Sequence, residues 1–321
     1  MKKLAVILPC YNEEEILKIS AYKLRDKIHS LIDKKLISNE SFVCFVDDGS
    51  KDRTWLIIEE LQRESNLFKG IKLSTNFGHQ NALLAGMFNC KHLAEVIITI
   101  DADLQDDINV FESMIINYNS GCLIVYGIRD NRDSDTFFKR FTAHIFYRLM
   151  NLMKVKTIYN HADFRLVDSR VVLELEKFNE TSMFLRGIFP ALGFNSKSVY
   201  YKRDIRMAGV TKYPLKKMLN FAWNGVTSFT TTPLRSIFYI GIFMFTASII
   251  FGLWVLISAI SGHAVKGWSS SLLITLTFSG INMICLGIIG EYIGKIYQEV
   301  KNRPRFIIEK NLLDNHINEN H

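Results

Sequence analysis

Clusters of acidic side chains follow three apolar stretches in the first third of the chain. They occupy residues 9–14 (PCYNEE), 46–50 (VDDGS) and 101–105 (DADLQ). Ligands of open α/β sheets bind beyond the carboxyl ends of the strands, so such clusters meet if each apolar stretch is a strand. Strand-end acids also form turns and cap helices, which is the interpretation that we give to Asp106 and Asp107. Three clusters at three strand ends predict one ligand site rich in oxygen donors.

Asp101, Asp103 and Gln105 stand at alternate positions of the third cluster. In an extended chain alternate side chains point to the same side, so their oxygen atoms can converge on one hard cation. Mg²⁺ and Mn²⁺ prefer oxygen ligands, and Mg²⁺ usually also binds substrate phosphates. A D-x-D pair alone is a weak signal, but this one follows a buried apolar run. We therefore predict a Mg²⁺ or Mn²⁺ cofactor on these three residues, with Asp103 also counted as catalytic.

A basic stretch covers residues 197–217, with seven Lys or Arg residues and one acid, Asp204. It supplies most of the net charge of the chain, which is +7. A glycine inside the run 206–212 (RMAGVTK) predicts a loop, in which Arg206 and Lys212 could grip a diphosphate. The alternative is a solvated stretch that binds lipid headgroups, and both can hold. No nucleic-acid-binding motif accompanies this charge, so we expect no nucleic acid partner.

Short apolar stretches rich in β-branched residues recur through the first 230 or so residues. They lie at 4–8, 42–46, 71–73, 96–100 and 123–126, and segments with helical spacing lie at 13–31, 54–64 and 80–91. Short strands that alternate with helices predict βαβ units and a mostly parallel sheet covered on both faces. The predicted fold class of this region is therefore α/β.

Two long runs without a charged residue mark the C-terminal third. Residues 237–260 and 269–290 are 24 and 22 residues long, enough to cross a hydrocarbon core of about 30 Å. Lys and Arg residues flank the pair on both outer sides, which predicts a transmembrane hairpin with both flanks in the cytoplasm. The alternative is a pair of buried helices in a soluble domain.

Residues 214–231 carry apolar side chains at three- and four-residue steps, with Lys and Asn residues between them. This spacing predicts an amphipathic helix that rests among the lipid headgroups, and the alternative is an ordinary helix of the preceding domain. The predicted organisation is a cytoplasmic catalytic domain at 1–213, an interfacial helix at 214–233, the transmembrane hairpin at 234–294 and a cytoplasmic tail at 295–321, whose polar end from 311 is expected to be frayed.

The cysteines and the N-terminus both indicate a protein that faces the cytosol. The five cysteines show no C-x-x-C spacing, so we expect reduced core residues and no zinc ribbon. The apolar run 4–8 is too short for the core of a signal peptide. With the Lys and Arg residues that flank the hairpin, this predicts that both termini lie in the cytoplasm.

Five short motifs, in chain order, resemble those of one enzyme family. They are P-x-Y-N-E, V-D-D-G-S, D-A-D-L-Q, D-F-R-L and R-x-x-G-x-T-K-Y. With the amphipathic helix and the two spans, they resemble the polyprenyl-phosphate glycosyltransferases of glycosyltransferase family 2, and most of all the bactoprenol glucosyltransferases of phage serotype conversion. The first three motifs are shared across the large family. The last two, with the hairpin, narrow the resemblance to enzymes that use lipid-phosphate acceptors.

The resemblance implies a GT-A nucleotide-sugar-binding fold and a role for each motif residue. Pro9, Tyr11 and Glu13 would line the nucleotide site, Asp48 would read the uracil, and Asp101 and Ala102 would follow the nucleotide sugar. Arg129, Arg206 and Lys212 would contact donor or acceptor phosphates, and Arg140 would contact the lipid phosphate. Asp163 would be catalytic and would face the sugar near the reacting carbon. The sequence departs from the family pattern at two places. Many relatives have a proline where this chain has Asp106-Asp107. His79 lies at a position that varies, and we expect a structural role for it.

The resemblance therefore implies an inverting transfer of a hexose, most simply glucose, from a UDP-sugar to undecaprenyl phosphate, for O-antigen or other cell-surface glycan modification. The expected location is the bacterial inner membrane, with the lipid bilayer as a partner, and the sequence is compatible with a homo-oligomer. Galactose, N-acetylhexosamine, aminoarabinose or a GDP-mannose donor remain alternatives. A processive transferase or an inactive scaffold with the same fold stays open as well.

Overall fold

The computed structural model describes residues 1–130, 161–180, 183–202, 231–261 and 267–313. These residues divide into two units: the first holds 1–130, 161–180, 183–202 and 304–313, and the second holds 231–261 and 267–303. Apart from its last residue, the predicted amphipathic helix at 214–231 lies outside the described residues.

Strands and helices alternate through the first half of the first unit. Its described strands are β1 (Leu4–Cys10), β2 (Phe42–Asp47), β3 (Phe68–Leu73), β4 (Val96–Thr99), β5 (Ile124–Arg129), β6 (His161–Asp168), β7 (Ser196–Tyr201) and β8 (Ile308–Asn311). Its described helices are α1 (Leu17–Asp33), α2 (Thr54–Glu64), α3 (His79–Cys90), α4 (Val110–Asn119), α5 (Ser169–Glu176) and α6 (Leu185–Ala191).

The eight strands form one sheet in the order β7-β5-β6-β4-β1-β2-β3-β8. The pairs among β1, β2, β3 and β4 are parallel, as is the pair of β5 with β7. Strand β6 runs antiparallel between β4 and β5, and β8 runs antiparallel along β3. The sheet is therefore mixed but mostly parallel, as the sequence predicts.

Both faces of the sheet are covered, which explains why β1 and β2 are buried along their whole length. Val6 lies in the core cluster that contains the buried side chains of α1, α2 and α4. Ile7 points to the other face, where α3 crosses it at Gly86. A Cβ at position 86 would lie 2.4 Å from Cγ2 of Ile7, so only glycine lets the helix approach this closely.

The C-terminal segment returns to the first unit and adds the edge strand β8. The N–H of Leu312 donates to the carbonyl of Gly70 at 2.8 Å, and the N–H of Ser74 donates to the carbonyl of Ile307 at 3.0 Å. Leu313 is only 3% exposed. The expectation of a frayed end from residue 311 is therefore wrong for 311–313, because β3 offers an open edge with which the segment pairs.

Replacing Leu313 by alanine should lower the free energy of unfolding by about 2 kcal/mol, since a buried leucine is truncated. Thermal unfolding of the purified protein in detergent measures this loss. Glu309→Ala is the matched control, because Glu309 pairs with Lys72 at the surface, and such pairs contribute about 1 kcal/mol or less. Equal losses for the two variants would contradict the packing role of Leu313.

Two long helices make up the described part of the second unit, α7 (Thr232–Ile260) and α8 (Trp268–Val300). Each contains a segment long and apolar enough to cross a membrane, residues 232–251 and 277–300, with mean hydropathies of 1.8 and 1.2. Neither segment is buried inside the protein, so neither is the core helix of a soluble domain. Both helices are longer than the uncharged runs that predict them, and α8 continues through Glu291 and Lys295.

Candidate active site

The carboxyl ends of β1, β2 and β4 lie at one edge of the sheet, because these strands are adjacent and parallel. Hydrogen bonds join the loops that follow β1 and β2. The N–H of Asp48 donates to the carbonyl of Cys10 at 2.9 Å, and the N–H of Asn12 donates to Oγ of Ser50 at 3.0 Å. The first two acidic clusters therefore form one continuous rim.

The three residues predicted to line the nucleotide site lie along this rim. Pro9 is buried in β1 and pairs with Val46 in the sheet register. Tyr11 is 43% exposed. The backbone N–H of Glu13 donates to Oγ1 of Thr54 at 2.9 Å. Pro9 thus lies buried under the rim and Tyr11 is exposed on it, while their roles in nucleotide binding stay predictions.

Asp48 is buried, and its carboxylate holds the loop that leads into α3. Oδ1 accepts the N–H of Phe77 at 2.7 Å and Oδ2 accepts the N–H of Gly78 at 2.9 Å. Burial raises the pKa of Asp48, and these two hydrogen bonds oppose the rise. The role in uracil recognition stays a prediction, while the loop contact adds a structural task that the sequence did not reveal.

Gly49 explains the glycine of the V-D-D-G-S motif. Its φ is +68°, in the left-handed region that favours glycine. A Cβ at this position would lie 2.4 Å from the carbonyl carbon of Thr75. The rim after β2 can therefore pack against the loop at Thr75 only with glycine at position 49.

The predicted metal residues follow β4 in a short loop at residues 101–105, which we call the metal loop. Oδ2 of Asp103 accepts a hydrogen bond from Nε2 of Gln105 at 2.6 Å, and Gln105 is 6% exposed. The carbonyl of Ala102 accepts Oγ of Ser20 at 2.7 Å, which fixes the loop against α1. Burial raises the pKa of Asp101, and the nearby Asp106, Asp163 and Asp103 raise it further against the opposing effect of His79.

The side chains of this loop fit a divalent cation whose remaining ligands come from a substrate. Among the described residues no three acidic, histidine or cysteine side chains form a ready-made metal cluster. Mg²⁺ is typically held by one or two carboxylates together with substrate phosphates and water. Asp101, Asp103 and Gln105 offer two carboxylates and one amide oxygen, which are types of ligand that such an ion takes.

His79, the first residue of α3, lies between the metal loop and Asp163. Its Nε2 is 3.5 Å from Oδ1 of Asp101 and 3.7 Å from Oδ2 of Asp163. The side chain is 44% exposed, so a ligand can reach it. The sequence favoured a structural role for this residue, and the structure places it beside two of the predicted site residues.

Asp163 is held by two arginines at the inner edge of the site. Its side chain is 7% exposed, with Oδ1 at 2.5 Å from Nη2 of Arg165 and Oδ2 at 2.9 Å from Nη2 of Arg186. Burial alone would raise the pKa of Asp163, but the positive charges of Arg186 and Arg165 outweigh burial and lower it well below its usual range. Asp163 is therefore an ionised carboxylate at neutral pH.

Arg186 and Arg165 are site residues that sequence reasoning missed. Arg165 lies two positions after Asp163 on β6, so strand alternation could have placed both side chains on one face. It is 1% exposed, and its guanidinium stacks on the ring of Phe189 at 4.6 Å. Arg186 belongs to α6 and reaches Asp163 across a sequence separation of 23 residues, for which no local pattern exists.

The turn after the metal loop departs from the prediction at one of its two acids. Oδ1 of Asp107 accepts the N–H of Asn109 at 2.9 Å, which confirms Asp107 as a turn former. Asp106 is buried instead, and its carboxylate pairs with Arg129. The cap interpretation is therefore wrong for Asp106, because the side chain turns into the domain toward β5.

Arg129 is the one predicted phosphate-binding arginine that the structure describes. It ends β5, and Asp106 and Tyr201 lie against its guanidinium. The predicted contacts of Arg140, Arg206 and Lys212 lie outside the described residues. Their roles therefore stay predictions.

A model of glycosyl transferase family 2 matches residues 5–175, from β1 to α5. The matched segment contains all three acidic clusters and the strand that carries Asp163. The chain belongs to this family, and it is a glycosyltransferase. With the sheet described above, membership confirms the predicted α/β fold class of a GT-A domain.

Relatives match along nearly the whole chain. The uncharacterized glycosyltransferase YkoT of Bacillus subtilis (strain 168) is 47% identical over 314 residues, which are 98% of this chain and 93% of that protein. The SfII prophage-derived bactoprenol glucosyl transferase of Shigella flexneri is 37% identical over 310 residues, covering 96% and 98%. Among solved structures, the chain resembles glucosyl-3-phosphoglycerate synthase from Mycobacterium tuberculosis, which was solved with Mn²⁺, UDP-glucose and phosphoglyceric acid. The identity is 14% and the TM-score is 0.45, and the match covers 70% of this chain and 78% of that one.

Proposed function

We propose that the protein transfers a hexose, most simply glucose, from a UDP-sugar to undecaprenyl phosphate, with inversion at the anomeric carbon. The observation that carries this proposal is that Asp101 and Asp163 both approach Nε2 of His79, at 3.5 and 3.7 Å, at the edge of the sheet where ligands of this fold class bind. Full-length similarity to bactoprenol glucosyl transferases supports both the sugar and the lipid acceptor.

In this scheme the metal loop binds the diphosphate of the donor through the cation. Asp101, Asp103 and Gln105 would hold Mg²⁺ or Mn²⁺, which supplies charge stabilisation to the departing diphosphate. Ala102, whose backbone Ser20 fixes, keeps the two carboxylates in place. Donor phosphates would also meet Arg206 and Lys212 from the basic stretch, because arginine and lysine neutralise the charge that develops on a leaving diphosphate.

The acceptor needs little activation, because a phosphate monoester has a second pKa near 6 and is already nucleophilic at pH 7. Asp163, held between two arginines with a lowered pKa, is a poor proton acceptor. We therefore assign it to orienting the donor sugar. Arg129 and Arg140 would attract the acceptor phosphate, since arginine binds phosphates through several donors at once.

The bilayer would bring acceptor and enzyme together. Helices α7 and α8 would form a transmembrane hairpin in the bacterial inner membrane, with the catalytic domain and both termini in the cytoplasm. The amphipathic stretch 214–231 would lie among the headgroups beside the phosphate of the lipid. A homo-oligomer is compatible with this arrangement but is not needed for it.

A donor panel tests the proposal directly. Membranes that contain the full-length protein are incubated with undecaprenyl phosphate and one labelled donor each: UDP-glucose, UDP-galactose, UDP-N-acetylglucosamine, UDP-aminoarabinose or GDP-mannose. We expect label from UDP-glucose in a lipid monophosphate, and none with the Asp103→Ala variant. Label from another donor changes the sugar, label in polymer indicates a processive enzyme, and no label in any lane indicates an inactive scaffold.

Base selectivity gives a second test. Each carboxylate oxygen of Asp48 has a second lone pair beside the one used by the loop, so it can accept the imide N–H of uracil. Cytosine presents an acceptor at that place. UDP should therefore compete for the donor site about tenfold to a hundredfold better than CDP, the equivalent of one charged hydrogen bond. Inhibition constants of the two nucleotides measure this, and equal constants would exclude uracil recognition by Asp48.

A further inference from the structure

Asp106 is a buried acid directly after the metal loop, and its hydrogen bonds lead away from that loop. Its side chain is 1% exposed. Oδ1 accepts Nε and Nη2 of Arg129 at 3.1 and 3.0 Å, and it also accepts the hydroxyl of Tyr201 at 2.6 Å. Oδ2 is buried with no hydrogen-bond partner among the described residues. One carboxylate oxygen thus fixes two side chains from two other strands.

Arg129 and Tyr201 end β5 and β7, and they face each other in the parallel register of these strands. The N–H of Asp130 donates to the carbonyl of Tyr201 at 2.8 Å, which ties the two strand ends together. The ring of Tyr201 meets the ring of Phe164 edge-on at 5.3 Å, next in the chain to Asp163. Asp106 therefore joins the metal loop to the ends of both strands.

In the sequence, the predicted phosphate-binding residues follow these two strands. After β5 it leads to Arg140, and after β7 it leads to Arg206 and Lys212. Arg129 at the junction is itself predicted to contact phosphate. The guanidinium of Arg129 is half-buried, with 25% of its side chain exposed, and Asp106 is the buried carboxylate that pairs with it. The position of Asp106 thus sets the position of Arg129 relative to the metal loop.

We propose that Asp106 is a positioning residue for phosphate binding. It fixes the guanidinium of Arg129 and, together with Tyr201, holds the ends of β5 and β7 beside the metal loop. The inference rests on the proposed function, because the phosphate in question is that of the lipid acceptor. Asp106 itself does not touch the substrate. Its effect on the reaction passes through Arg129.

A double-mutant cycle on the full-length protein separates this role from a merely structural one. Asp106→Asn keeps the shape and one acceptor oxygen but removes the charge that holds Arg129. Asp106→Asn and Arg129→Gln should each lower kcat/KM for undecaprenyl phosphate about 10- to 100-fold, mainly through KM. The double variant should be no worse than Arg129→Gln alone, because residues that act as a unit are non-additive. Losses that multiply in the double variant would overturn the proposal.

Two further variants guard against misfolding. Asp107→Asn makes the same chemical change one residue later and keeps the turn acceptor, so its kcat/KM should stay within about threefold of wild type. Tyr201→Phe keeps the buried ring and removes only the hydroxyl, so it should fold, bind UDP as wild type does, and raise KM for the lipid about threefold to tenfold. An unchanged KM in Tyr201→Phe contradicts the positioning role. A wild type that transfers no sugar overturns the proposed function, and this inference falls with it.

Discussion

Asp103→Ala should abolish nearly all metal-dependent transfer while the protein still inserts and folds. A bound divalent cation contributes several kcal/mol of charge stabilisation to the departing diphosphate, and about 4 kcal/mol corresponds to about a thousandfold in rate. Asp103 lies in a strand-end loop, where its contact with Gln105 is local, so its loss removes a metal ligand without opening the core. We expect kcat to fall about a thousandfold with Mg²⁺ or Mn²⁺ present.

UDP binding measured by calorimetry, with and without Mn²⁺, reports on the same residue independently of turnover. Wild type should bind UDP more tightly when Mn²⁺ is present, and Asp103→Ala should lose that difference. Asp107→Ala is the matched control, since it removes a nearby acid, in the turn after the metal loop, that we do not place on the metal. If Asp103→Ala kept most of its activity with Mn²⁺, the metal assignment would be wrong.

Much of the fold follows from sequence pattern, because β1, β2 and β4 are continuous apolar runs that can only be buried. Parallel neighbours bring their ends together, so the acidic clusters after these strands had to meet. The helix at 54–64 begins and ends where its spacing predicts. The strand β8 could not be foreseen, since a polar tetrapeptide becomes a strand only through the open edge of β3.

Local motifs pointed to the acids at the carboxyl edge of the sheet, whereas the long-range contacts around them were missed. Asp101 and Asp103 were readable because they follow a buried strand. The alternation argument is wrong here, because residues 101–104 form a turn in which the N–H of Leu104 donates to the carbonyl of Asp101 at 3.1 Å. The pairing of Asp106 with Arg129 spans 23 residues and depends on how β5 lies beside the metal loop. Tyr201 is still further away, and its hydroxyl becomes informative only once the register of β7 is known. Such contacts are properties of packing, which no local pattern records.

Asp163→Asn should lower both turnover and stability, for one electrostatic reason. The amide nitrogen of asparagine is a donor, so it would face the donors of Arg165 and Arg186 where a carboxylate now accepts them. Breaking a buried ion pair from one side costs about 3–5 kcal/mol. A displacement of about 1 Å of a sugar-orienting group costs about a hundredfold in rate.

The pH dependence of the rate distinguishes this carboxylate from a general base. Because the folded pKa of Asp163 is lowered, its contribution to stability is present above the unfolded pKa of about 4 and is lost as pH falls through the folded pKa. Asp163 therefore stays ionised between pH 6 and 8, and it should add no titration to the rate in that window. An acidic limb near pH 6 belongs to the phosphate of the acceptor and should remain in the variant.

Asp168→Asn is the matched control for Asp163→Asn, because it makes the same change at the far end of β6. Asp168 is buried and caps α5 through the N–H of Arg170, and its carboxylate also accepts the Arg170 guanidinium and the hydroxyl of Tyr118. Its replacement should therefore cost about 1–3 kcal/mol of stability without an effect on kcat. Both variants are assayed at a temperature at which each is folded and binds UDP. We expect kcat to fall about a hundredfold for Asp163→Asn alone. Equal kcat in the two variants would show that the carboxylate of Asp163 contributes to the fold and not to sugar transfer.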